Sequence, residues 1–483
     1  MKLKQLLSKV EILETGADLE IEIGDISYDS RKTKKGDLFV AIRGFESDGH
    51  RFIAAAEKAG AAAVLCEEKP ETEIPYVIVK NSRKALALVS AEYFGNPAEE
   101  MTMVGVTGTN GKTTTTLLLK HVIEQSLGAK VGLIGTNQNM IGELAMETER
   151  TTPESYELQK LFREMANASC KYVIMEVSSH SLALDRVAGV RFKLGVFTNL
   201  TQDHLDFHHT MEEYAAAKAL LFSNCDKAVI NLDDEWGGYM RERAKCPVFT
   251  YSETKLEADL VAKDIRLSPS SVKFCALADG DIERISLGIP GRFSIYNAMS
   301  VISSALLLGL PLEKIADTLA TASGVKGRVE VVPTPEDYTI LIDYAHTPDA
   351  LENVIKSMKE VAAGRVVVLF GCGGDRDKTK RPIMGSIAVS LADFTIITSD
   401  NPRTEMPSEI IADILAGVKA PKNRYKVIED RKEAIAFAID NHQKDDVIIL
   451  AGKGHETYQI IGKTKHHMDE REIVAEHLTS KQG

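Results

Sequence analysis

A glycine-rich segment near residue 110 has the residue types that a phosphate-binding loop needs. It reads Thr107-Gly108-Thr109-Asn110-Gly111-Lys112-Thr113-Thr114, between an apolar run at 103–106 and a helical pattern starting near Leu117. Glycines let backbone N–H groups turn inward around an anion, and a helix N-terminus adds partial positive charge. Lys112 would reach the terminal phosphates, and Thr113 would offer its hydroxyl to Mg²⁺. The segment predicts a site for ATP or a related nucleotide.

The spacing of this loop differs from the standard pattern at one place. The pattern G-x-x-x-x-G-K would put a glycine at Val106, whereas the nearest glycine is Gly105. The alternative is a glycine-rich turn that carries a surface lysine. Because strand, loop and helix signals follow one another in the required order, we favour the phosphate loop.

Chemically active residues also follow the apolar runs further along the chain. Glu176 comes directly after the run at 172–175, and Asp203-His204-Leu205-Asp206 follows the run at 194–197. The carboxyl ends of parallel strands meet at one sheet edge, so both segments should lie near the phosphate loop. Glu176 and His204 would suit Mg²⁺ there. A transition-metal site that includes His208 and His209 is the alternative, and the nearby phosphate loop favours Mg²⁺.

Four polar loops follow apolar runs in the last third of the chain. They begin at Asp343, Gly371, Ser399 and Ala451, and together they carry Arg376, Asp400, Asn401, Pro402, Arg403, Gly452 and Glu456. Guanidinium groups bind carboxylates, and carboxylates bind ammonium groups. The mixed charge predicts a pocket for a zwitterion. Structural ion pairs within the loops are the alternative for any single residue.

The elements that must position these residues alternate between strand and helix patterns. We predict an α/β protein of three domains, at 1–97, 98–330 and 331–483, with mainly parallel sheets. Thr210 to Glu213 resembles a capping box that opens a helix running to Phe222. Lys218 lies in that helix, and its spacing alone predicts a solvated surface lysine. The segment 465–472 is interpreted as the start of a polar helix, with a substrate-side loop as the alternative.

Composition narrows the class of protein. The net charge of −12 over 483 residues disfavours binding of nucleic acid through bulk charge. The six cysteines form no C-x-x-C pair and predict reduced thiols in a cytoplasmic protein. No signal peptide or membrane span is evident in the sequence.

Taken together, the motifs resemble the Mur ligase family, whose members are ATP-dependent amide-bond ligases of peptidoglycan precursor synthesis. The resemblance rests on the phosphate loop, Glu-Val-Ser-Ser-His at 176–180, Asp-His-Leu-Asp at 203–206, Lys218, Asp-Tyr-Ala-His-Thr-Pro at 343–348 and Gly-Lys-Gly-His-Glu at 452–456. It implies a small N-terminal α/β domain, a central P-loop-type ATPase domain and a C-terminal Rossmann-like domain. A monomer is expected.

The resemblance also implies roles for individual residues. Ser30 would contact the uridine nucleotide, and Thr151, Thr152, Ser178 and Arg186 would hold the UDP-muramoyl-dipeptide. Thr113, Glu176, His204 and Lys218, the last as an N6-carboxylysine, would ligate Mg²⁺. Asn297 and Arg328 would face the nucleotide, and Asp343 the ribose. Many relatives have a glutamine where this chain has Leu184, which puts one substrate contact in doubt.

Within the family, Asp-Asn-Pro-Arg is characteristic of the members that add meso-diaminopimelate to the D-glutamate γ-carboxylate through an acyl phosphate. Here it is Asp400-Asn401-Pro402-Arg403. An arginine left unpaired in a buried site would penalise lysine, which lacks the distal carboxylate. The alternatives are addition of L-lysine, a folylpolyglutamate-type ligase and a nucleotide-gated binding protein. The base that deprotonates the incoming amine stays open between His204 and His346.

Overall fold

The computed structural model describes residues 1–44, 47–148, 150–322, 324–334 and 337–482. Two compact units make up the chain. The first comprises Met1–Leu260 with Ser300–Leu310, and the second comprises Val261–Met299 with Pro311–Gly483. No helix within the described residues has both the length and the apolar character that crossing a bilayer requires.

The first unit opens with a five-stranded sheet in the order β1-β5-β4-β3-β2, parallel except for β1. Leucine, isoleucine and valine side chains between the sheet and its helices form its core. Short apolar runs of the sequence near residues 38, 63 and 77 form three of its strands. The elements are α1 (Leu3–Leu6), β1 (Ile12–Thr15), β2 (Ile26–Ser27), β3 (Leu38–Val40), α2 (Ile53–Lys58), β4 (Ala63–Cys66), β5 (Tyr76–Val79) and α3 (Ser82–Tyr93).

A second sheet of this unit has the order β13-β12-β11-β6-β10-β7-β8-β9, and its first six strands are parallel. The apolar runs at 103–106, 172–175 and 194–197 are strands of this sheet, and the hairpin β8–β9 extends one edge of it. The elements are β6 (Thr102–Thr107), α4 (Lys112–Leu127), β7 (Val131–Ile134), β8 (Asn139–Ile141), β9 (Leu144–Met146), α5 (Ser155–Asn167), β10 (Tyr172–Glu176), α6 (Ser179–Ala183), β11 (Phe192–Phe197), α7 (Leu205–His208), α8 (Met211–Ala219), β12 (Cys225–Asn231), α9 (Gly237–Arg243) and β13 (Val248–Ser252).

Two helix boundaries in this sheet region test the sequence predictions. Helix α4 begins at Lys112 and not near Leu117, because Gly111 in a left-handed conformation turns the chain straight into the helix. The predicted cap of α8 is confirmed, since the Thr210 side chain accepts a hydrogen bond from the Glu213 N–H. The α-helical part of α8 ends at Ala219, and a 3₁₀ turn continues to Ser223.

The second unit departs from strict alternation at its start. Three consecutive strands without intervening helices, β14 (Leu260–Leu267), β15 (Val272–Ala278) and β16 (Asp281–Leu287), occupy a region predicted to alternate, and β15 pairs antiparallel with β16. Buried and less buried residues alternate along β15, which is the pattern of a sheet with one face toward solvent. Two helices follow, α10 (Phe293–Leu307) and α11 (Leu312–Ala320).

The rest of the second unit is a six-stranded sheet in the order β17-β18-β22-β19-β20-β21, parallel except for β17. The segment 465–472 is a strand end followed by a helix, so its interpretation as a helix start is wrong for its first residues. The elements are β17 (Glu330–Val332), β18 (Thr339–Asp343), α12 (Pro348–Lys359), β19 (Val366–Phe370), α13 (Lys380–Leu391), β20 (Phe394–Ile397), α14 (Pro407–Leu415), β21 (Tyr425–Val427), α15 (Arg431–Asp440), β22 (Val447–Ala451), β23 (Tyr458–Ile461), β24 (Thr464–His467) and α16 (Glu470–Gln482).

Candidate active site

The phosphate loop connects the end of β6 to the start of α4. Gly108 has a φ of 152°, and a Cβ there would lie 1.9 Å from the Thr198 hydroxyl oxygen, so only glycine fits. Val106, where the standard pattern would place its first glycine, is buried inside β6. The turn therefore starts after Thr107, and the shifted spacing follows from the length of the strand.

Residues at the end of β11 hold this loop in place through hydrogen bonds. The Thr198 hydroxyl donates to the Asn110 carbonyl at 2.7 Å, and the Asn110 N–H donates to the Asn199 side-chain oxygen at 2.9 Å. The Thr109 N–H donates to the Asn199 carbonyl at 2.9 Å. These bonds fix the loop backbone before any ligand arrives, which lowers the cost of ordering it on binding.

Two lysines converge on the loop. Lys112 Nζ donates to the Gly108 carbonyl at 2.8 Å and to the Thr109 carbonyl at 2.9 Å. Lys218 Nζ donates to the same Gly108 oxygen at 2.9 Å. The prediction that Lys218 is a solvated surface lysine is wrong, since only 2% of the residue is exposed.

Burial lowers the pKa of Lys218 well below its ordinary value, and the nearby positive charge of Lys112 lowers it further. The Tyr214 ring faces the amine at 4.5 Å, and the Tyr214 hydroxyl lies 3.2 Å from that of Thr109. The sequence analysis did not select Tyr214. Its position four residues before Lys218 on one helix was the available signal.

Glu176 ends β10 and is almost fully buried beside the loop. Its Oε1 accepts hydrogen bonds from the Thr113 hydroxyl and the Thr136 N–H, both at 2.9 Å. Its Oε2 accepts one from the Thr136 hydroxyl at 3.0 Å. A carboxylate beside a hydroxyl at the start of a phosphate-loop helix is the oxygen-rich donor set that Mg²⁺ prefers, so these residues fit that ion.

His204 lies on the turn before α7. Its side chain is about half exposed, and Nε2 is 3.5 Å from the Asp203 carboxylate. Its ring is 4.8 Å from that of His180. Over the described part of the chain, no group of three His, Cys, Asp or Glu side chains is arranged to hold a metal ion.

His208 is buried behind His204. Its Nε2 lies 2.9 Å from the Ser179 hydroxyl, and its ring stacks on that of Tyr214 at 5.1 Å. Burial, together with the nearby His180, Lys218 and His204, lowers the pKa of His208 to about 4. A neutral imidazole therefore packs between α6 and α8, which carry Ser179 and Lys218.

The structure gathers four predicted substrate residues around the end of β10. The Thr152 hydroxyl donates to the Glu176 carbonyl at 2.8 Å, and it accepts from the Ser178 N–H at 3.2 Å. Arg186 donates to the Thr152 carbonyl at 3.2 Å, and Thr151 reaches the Thr136 hydroxyl at 2.9 Å. This group is therefore hydrogen-bonded to the backbone of Glu176, whose carboxylate lies beside the phosphate loop.

Ser30 lies beside a cavity of about 510 Å³, between two of the residues that line it. Asp29 and Arg31 are those neighbours, and the Ser27 and Thr33 hydroxyls are hydrogen-bonded at 2.9 Å in its wall. The Tyr156 hydroxyl donates to Asp25 across the same cavity at 2.7 Å. This is a polar recess large enough for a nucleoside.

In the second unit, a cavity of about 240 Å³ opens where β18, β19, β20 and β22 end. Six of the seven residues predicted for the amino acid line it, namely Arg376, Asp400, Asn401, Arg403, Gly452 and Glu456. Pro402 is in the same loop. The predicted convergence of four loops on one site is present in the fold.

A buried lysine that the sequence analysis did not select organises one wall of this cavity. Lys453 Nζ donates to Glu456 Oε2 at 2.9 Å and to Asn401 Oδ1 at 3.2 Å, and its side chain is fully buried. The Asn401 amide donates to the same Glu456 oxygen at 2.9 Å. The three side chains form a closed triangle that fixes the carboxylate. The motif Gly-Lys-Gly was visible in the sequence, but the burial of its lysine was not.

A buried arginine supports another part of the cavity lining, the loop that follows β19. Arg381 is fully buried and makes a two-pronged contact with Glu405, each bond 2.9 Å long. Arg381 also donates to the Gly373 carbonyl, and Glu405 accepts from the Asp375 N–H. This contact with Arg381 holds the pKa of the Glu405 carboxyl far below its usual range. The pair fixes the loop that carries Arg376.

The remaining predicted nucleotide residues also belong to the second unit. Asn297 is buried in α10, and Arg328 lies 5.3 Å from the Tyr344 ring centroid. Asp343 ends β18, where its two oxygens accept from the Val329 and Ala345 N–H groups, each at 2.8 Å. Burial raises the pKa of Asp343 above its ordinary value.

Comparison with known proteins agrees with this geometry. Three family models match along the chain: "Mur ligase family, catalytic domain" at residues 22–100, "Mur ligase middle domain" at 106–305, and "Mur ligase, glutamate ligase domain" at 327–454. A UDP-N-acetylmuramoyl-L-alanyl-D-glutamate–2,6-diaminopimelate ligase of Caldanaerobacter subterraneus subsp. tengcongensis is 51% identical, covering 99% of each chain. A relative of the same name from Clostridioides difficile is 46% identical, covering 99% of this chain and 100% of the relative.

Solved structures show the same architecture. One described as a UDP-N-acetylmuramoyl-L-alanyl-D-glutamate–2,6-diaminopimelate ligase is 31% identical, with a TM-score of 0.77 over 100% of this chain and 99% of that one. A MurF ligase from Thermotoga maritima in complex with ADP has a TM-score of 0.59 at 19% identity, covering 96% of this chain and 100% of that one, which supports the fold.

The glycine-rich loop at the carboxyl edge of a parallel sheet and the charged cavity of the second unit fit a nucleotide-dependent ligase. The chain belongs to the Mur ligase family and has its three-domain α/β architecture. It is therefore an ATP-dependent enzyme that forms amide bonds.

Proposed function

We propose that this chain adds meso-diaminopimelate to the γ-carboxylate of D-glutamate in UDP-N-acetylmuramoyl-L-alanyl-D-glutamate, as a step of peptidoglycan precursor synthesis. The observation that carries the proposal is the cavity in which Arg376 and Arg403 face Asp400 and Glu456. Lys380 also lines this cavity. Cationic side chains beside carboxylates suit an amino acid that has a second ammonium and a second carboxylate. The names of the full-length relatives support the same substrate pair.

In this proposal the UDP-muramoyl-dipeptide binds to the first unit. The cavity beside Ser30 takes the uridine nucleotide, and its size supports that assignment. Thr151, Thr152, Ser178 and Arg186 hold the rest of the substrate near the end of β10. Their hydrogen bonds to one another pre-arrange the site before the substrate arrives.

The reaction proceeds in two displacements. An oxygen of the D-glutamate γ-carboxylate attacks the γ-phosphorus of ATP, ADP leaves, and an acyl phosphate forms. The neutral amine of the amino acid then attacks the acyl carbon, its nitrogen loses a proton, inorganic phosphate leaves, and the amide remains. Lys112, with the N–H groups from Gly108 to Thr114, neutralises charge that develops on the transferred phosphoryl group. Asn297, Arg328 and Asp343 are assigned to the rest of the nucleotide.

Mg²⁺ would be held by Thr113, Glu176, His204 and a carbamylated Lys218. The ion would neutralise charge on the phosphates. The buried carboxylate of Glu176 and the adjacent Thr113 hydroxyl support this assignment most directly.

Carbamylation of Lys218 is part of the proposal. The neutral amine attacks CO₂, a proton leaves the nitrogen, and a carbamate results whose single negative charge is shared by two oxygens. The lowered pKa of Lys218 supports it, because burial increases the fraction of the amine that is neutral and able to attack CO₂. We expect a ¹³C carbamate signal when the protein is equilibrated with ¹³C-bicarbonate, and its absence in Lys218→Arg. A spectrum that is the same for both proteins would contradict the modification.

At the cavity of the second unit, Arg376, Asn401, Arg403, Gly452 and Glu456 are assigned to the incoming amino acid. Asp400 and Pro402 shape the loop that presents Asn401 and Arg403. Arg403 pairs with the distal carboxylate, which lysine lacks, and so determines the choice between the two amino acids.

The test is phosphate release from ATP with the UDP-muramoyl-dipeptide, with meso-diaminopimelate or L-lysine added in parallel. We expect turnover with meso-diaminopimelate and little with lysine. Oxygen-18 in the γ-carboxylate should appear in the released phosphate. Failure of that transfer would exclude the acyl phosphate, and turnover with lysine alone would reverse the specificity.

A further inference from the structure

The hairpin β23–β24 lies beside the loop that carries Asp400 to Arg403, and the mechanism above gives it no role. Four hydrogen bonds connect the two segments. The Gln459 side-chain amide donates to the Asp400 carbonyl at 2.7 Å, and the Ile460 N–H donates to Asn401 Oδ1 at 2.9 Å. The Arg403 N–H donates to the Ile460 carbonyl at 3.0 Å, and the Gly462 N–H donates to the Arg403 carbonyl at 2.7 Å.

Arg403 needs this support because its backbone is left-handed, with a φ of 52°. A residue with a Cβ adopts that conformation only when its surroundings hold it there. The two hydrogen bonds to the hairpin engage the backbone N–H and the backbone carbonyl of Arg403. Its guanidinium donates to the Gly374 carbonyl at 2.8 Å. The hairpin therefore determines the direction in which the Arg403 side chain enters the cavity.

The hairpin also fixes the amide of Asn401. Oδ1 accepts from Ile460 and from Lys453, so the amide nitrogen must be the group that faces Glu456. Gln459 holds the preceding carbonyl, at Asp400. The segment 400–403, which lines this side of the cavity, is therefore held by hydrogen bonds to a hairpin that is not part of the cavity lining.

We propose that the hairpin Tyr458–His467 is a positioning element for amino-acid specificity, and that Gln459 is a positioning residue within it. Gln459 acts through Asp400, Asn401 and Arg403. The hairpin selects for an amino acid with a distal carboxylate by holding Arg403 in its left-handed conformation. This inference rests on the proposed function, since it concerns the same cavity.

The test compares Gln459→Ala and Gln459→Glu with a matched control. Gln459→Glu keeps the shape of the side chain but removes the N–H donor. The control is His466→Ala, which truncates the exposed residue paired with Gln459 across the hairpin and keeps the Gln459 amide. For each protein, KM and kcat are measured with meso-diaminopimelate, L-lysine and ATP, together with Tm.

We expect both Gln459 variants to raise KM for meso-diaminopimelate by about tenfold, the effect of losing one well-placed hydrogen bond. The ratio of kcat/KM for meso-diaminopimelate over lysine should fall, while KM for ATP stays within about twofold of the parent protein. His466→Ala should match the parent protein in every parameter.

Three outcomes would overturn the proposal. An active parent protein with unchanged amino-acid discrimination in both Gln459 variants would remove the role of the hairpin and leave the proposed function standing. A uniform loss of activity with a lowered Tm would make Gln459 merely structural. A parent protein that turns over neither amino acid would remove the proposed function, and the specificity role with it.

Discussion

The phosphate loop and the amino-acid cavity differ in how their buried basic side chains are paired. At the loop, Lys112 and Lys218 both donate to the Gly108 carbonyl, so two lysine amines converge on one backbone oxygen. At the cavity, Lys453 is paired with the Glu456 carboxylate, and Arg381 is paired with Glu405. Converging amines favour an anionic ligand, whereas paired charges favour a fixed shape. This contrast fits the proposed roles, phosphate binding at the loop and discrimination between amino acids at the cavity.

Lys112→Ala tests the first half of this comparison and should have the largest effect. Removing a cation that stabilises the transferred phosphoryl group should lower kcat by about 10³-fold. It should also raise the pKa of Lys218, because a neighbouring positive charge is gone. Phosphate release measures the first effect, and a variant with near-normal turnover would contradict the role of Lys112.

Lys453→Met tests the charge pairing at the cavity, and it should lower the free energy of unfolding. Leaving Glu456 without its cation should cost about 2 kcal/mol of unfolding free energy, less than for a fully buried pair because Glu456 is partly exposed. Urea unfolding measures it. The double variant Lys453→Met/Glu456→Gln should recover much of the loss. If the double variant is as unstable as the single one, the ion pair is not the cause.

Arg403→Ala sharpens the comparison within the cavity. We expect kcat/KM for meso-diaminopimelate to fall by about 100-fold and that for lysine to change little, because only the former has a distal carboxylate. Parallel kinetics with both amino acids check this. Arg424→Ala, which truncates a residue bonded to the Ala392 carbonyl away from the cavity lining, is the control. Equal losses with both amino acids would argue against a specificity role.

The smallest effect concerns His208, whose pKa near 4 lies below its ordinary value of 6.5. Between these two values the unfolded chain binds the proton and the folded chain does not. Stability should therefore be full above pH 6.5 and should fall as the pH drops toward 4. Tm measured against pH should show this slope, and His208→Gln should flatten it. An unchanged slope would assign the acid sensitivity to other groups.

Much of the fold could be predicted from hydrophobic periodicity and from the residue types at turns and helix caps. The central strands were predicted because buried parallel strands are continuous apolar runs, and the Thr210 cap was predicted because its residue types satisfy helix N–H groups. The strands β14 to β16 were missed, since the surrounding alternation of strand and helix suggested more of the same. The start of α4 was misplaced because β-branched threonines hid a helix that begins at the loop itself.

The sequence by itself determined which chemistry was available: a glycine loop with a lysine, carboxylates after strands, and arginines beside acidic residues. Those follow from residue type and local spacing. Only the tertiary structure decided that Lys218 is buried against Gly108, that Lys453 ties Glu456 to Asn401, and that a hairpin holds Arg403. Burial and long-range pairing depend on residues far apart in the chain, and they set pKa, orientation and specificity, which no local pattern encodes.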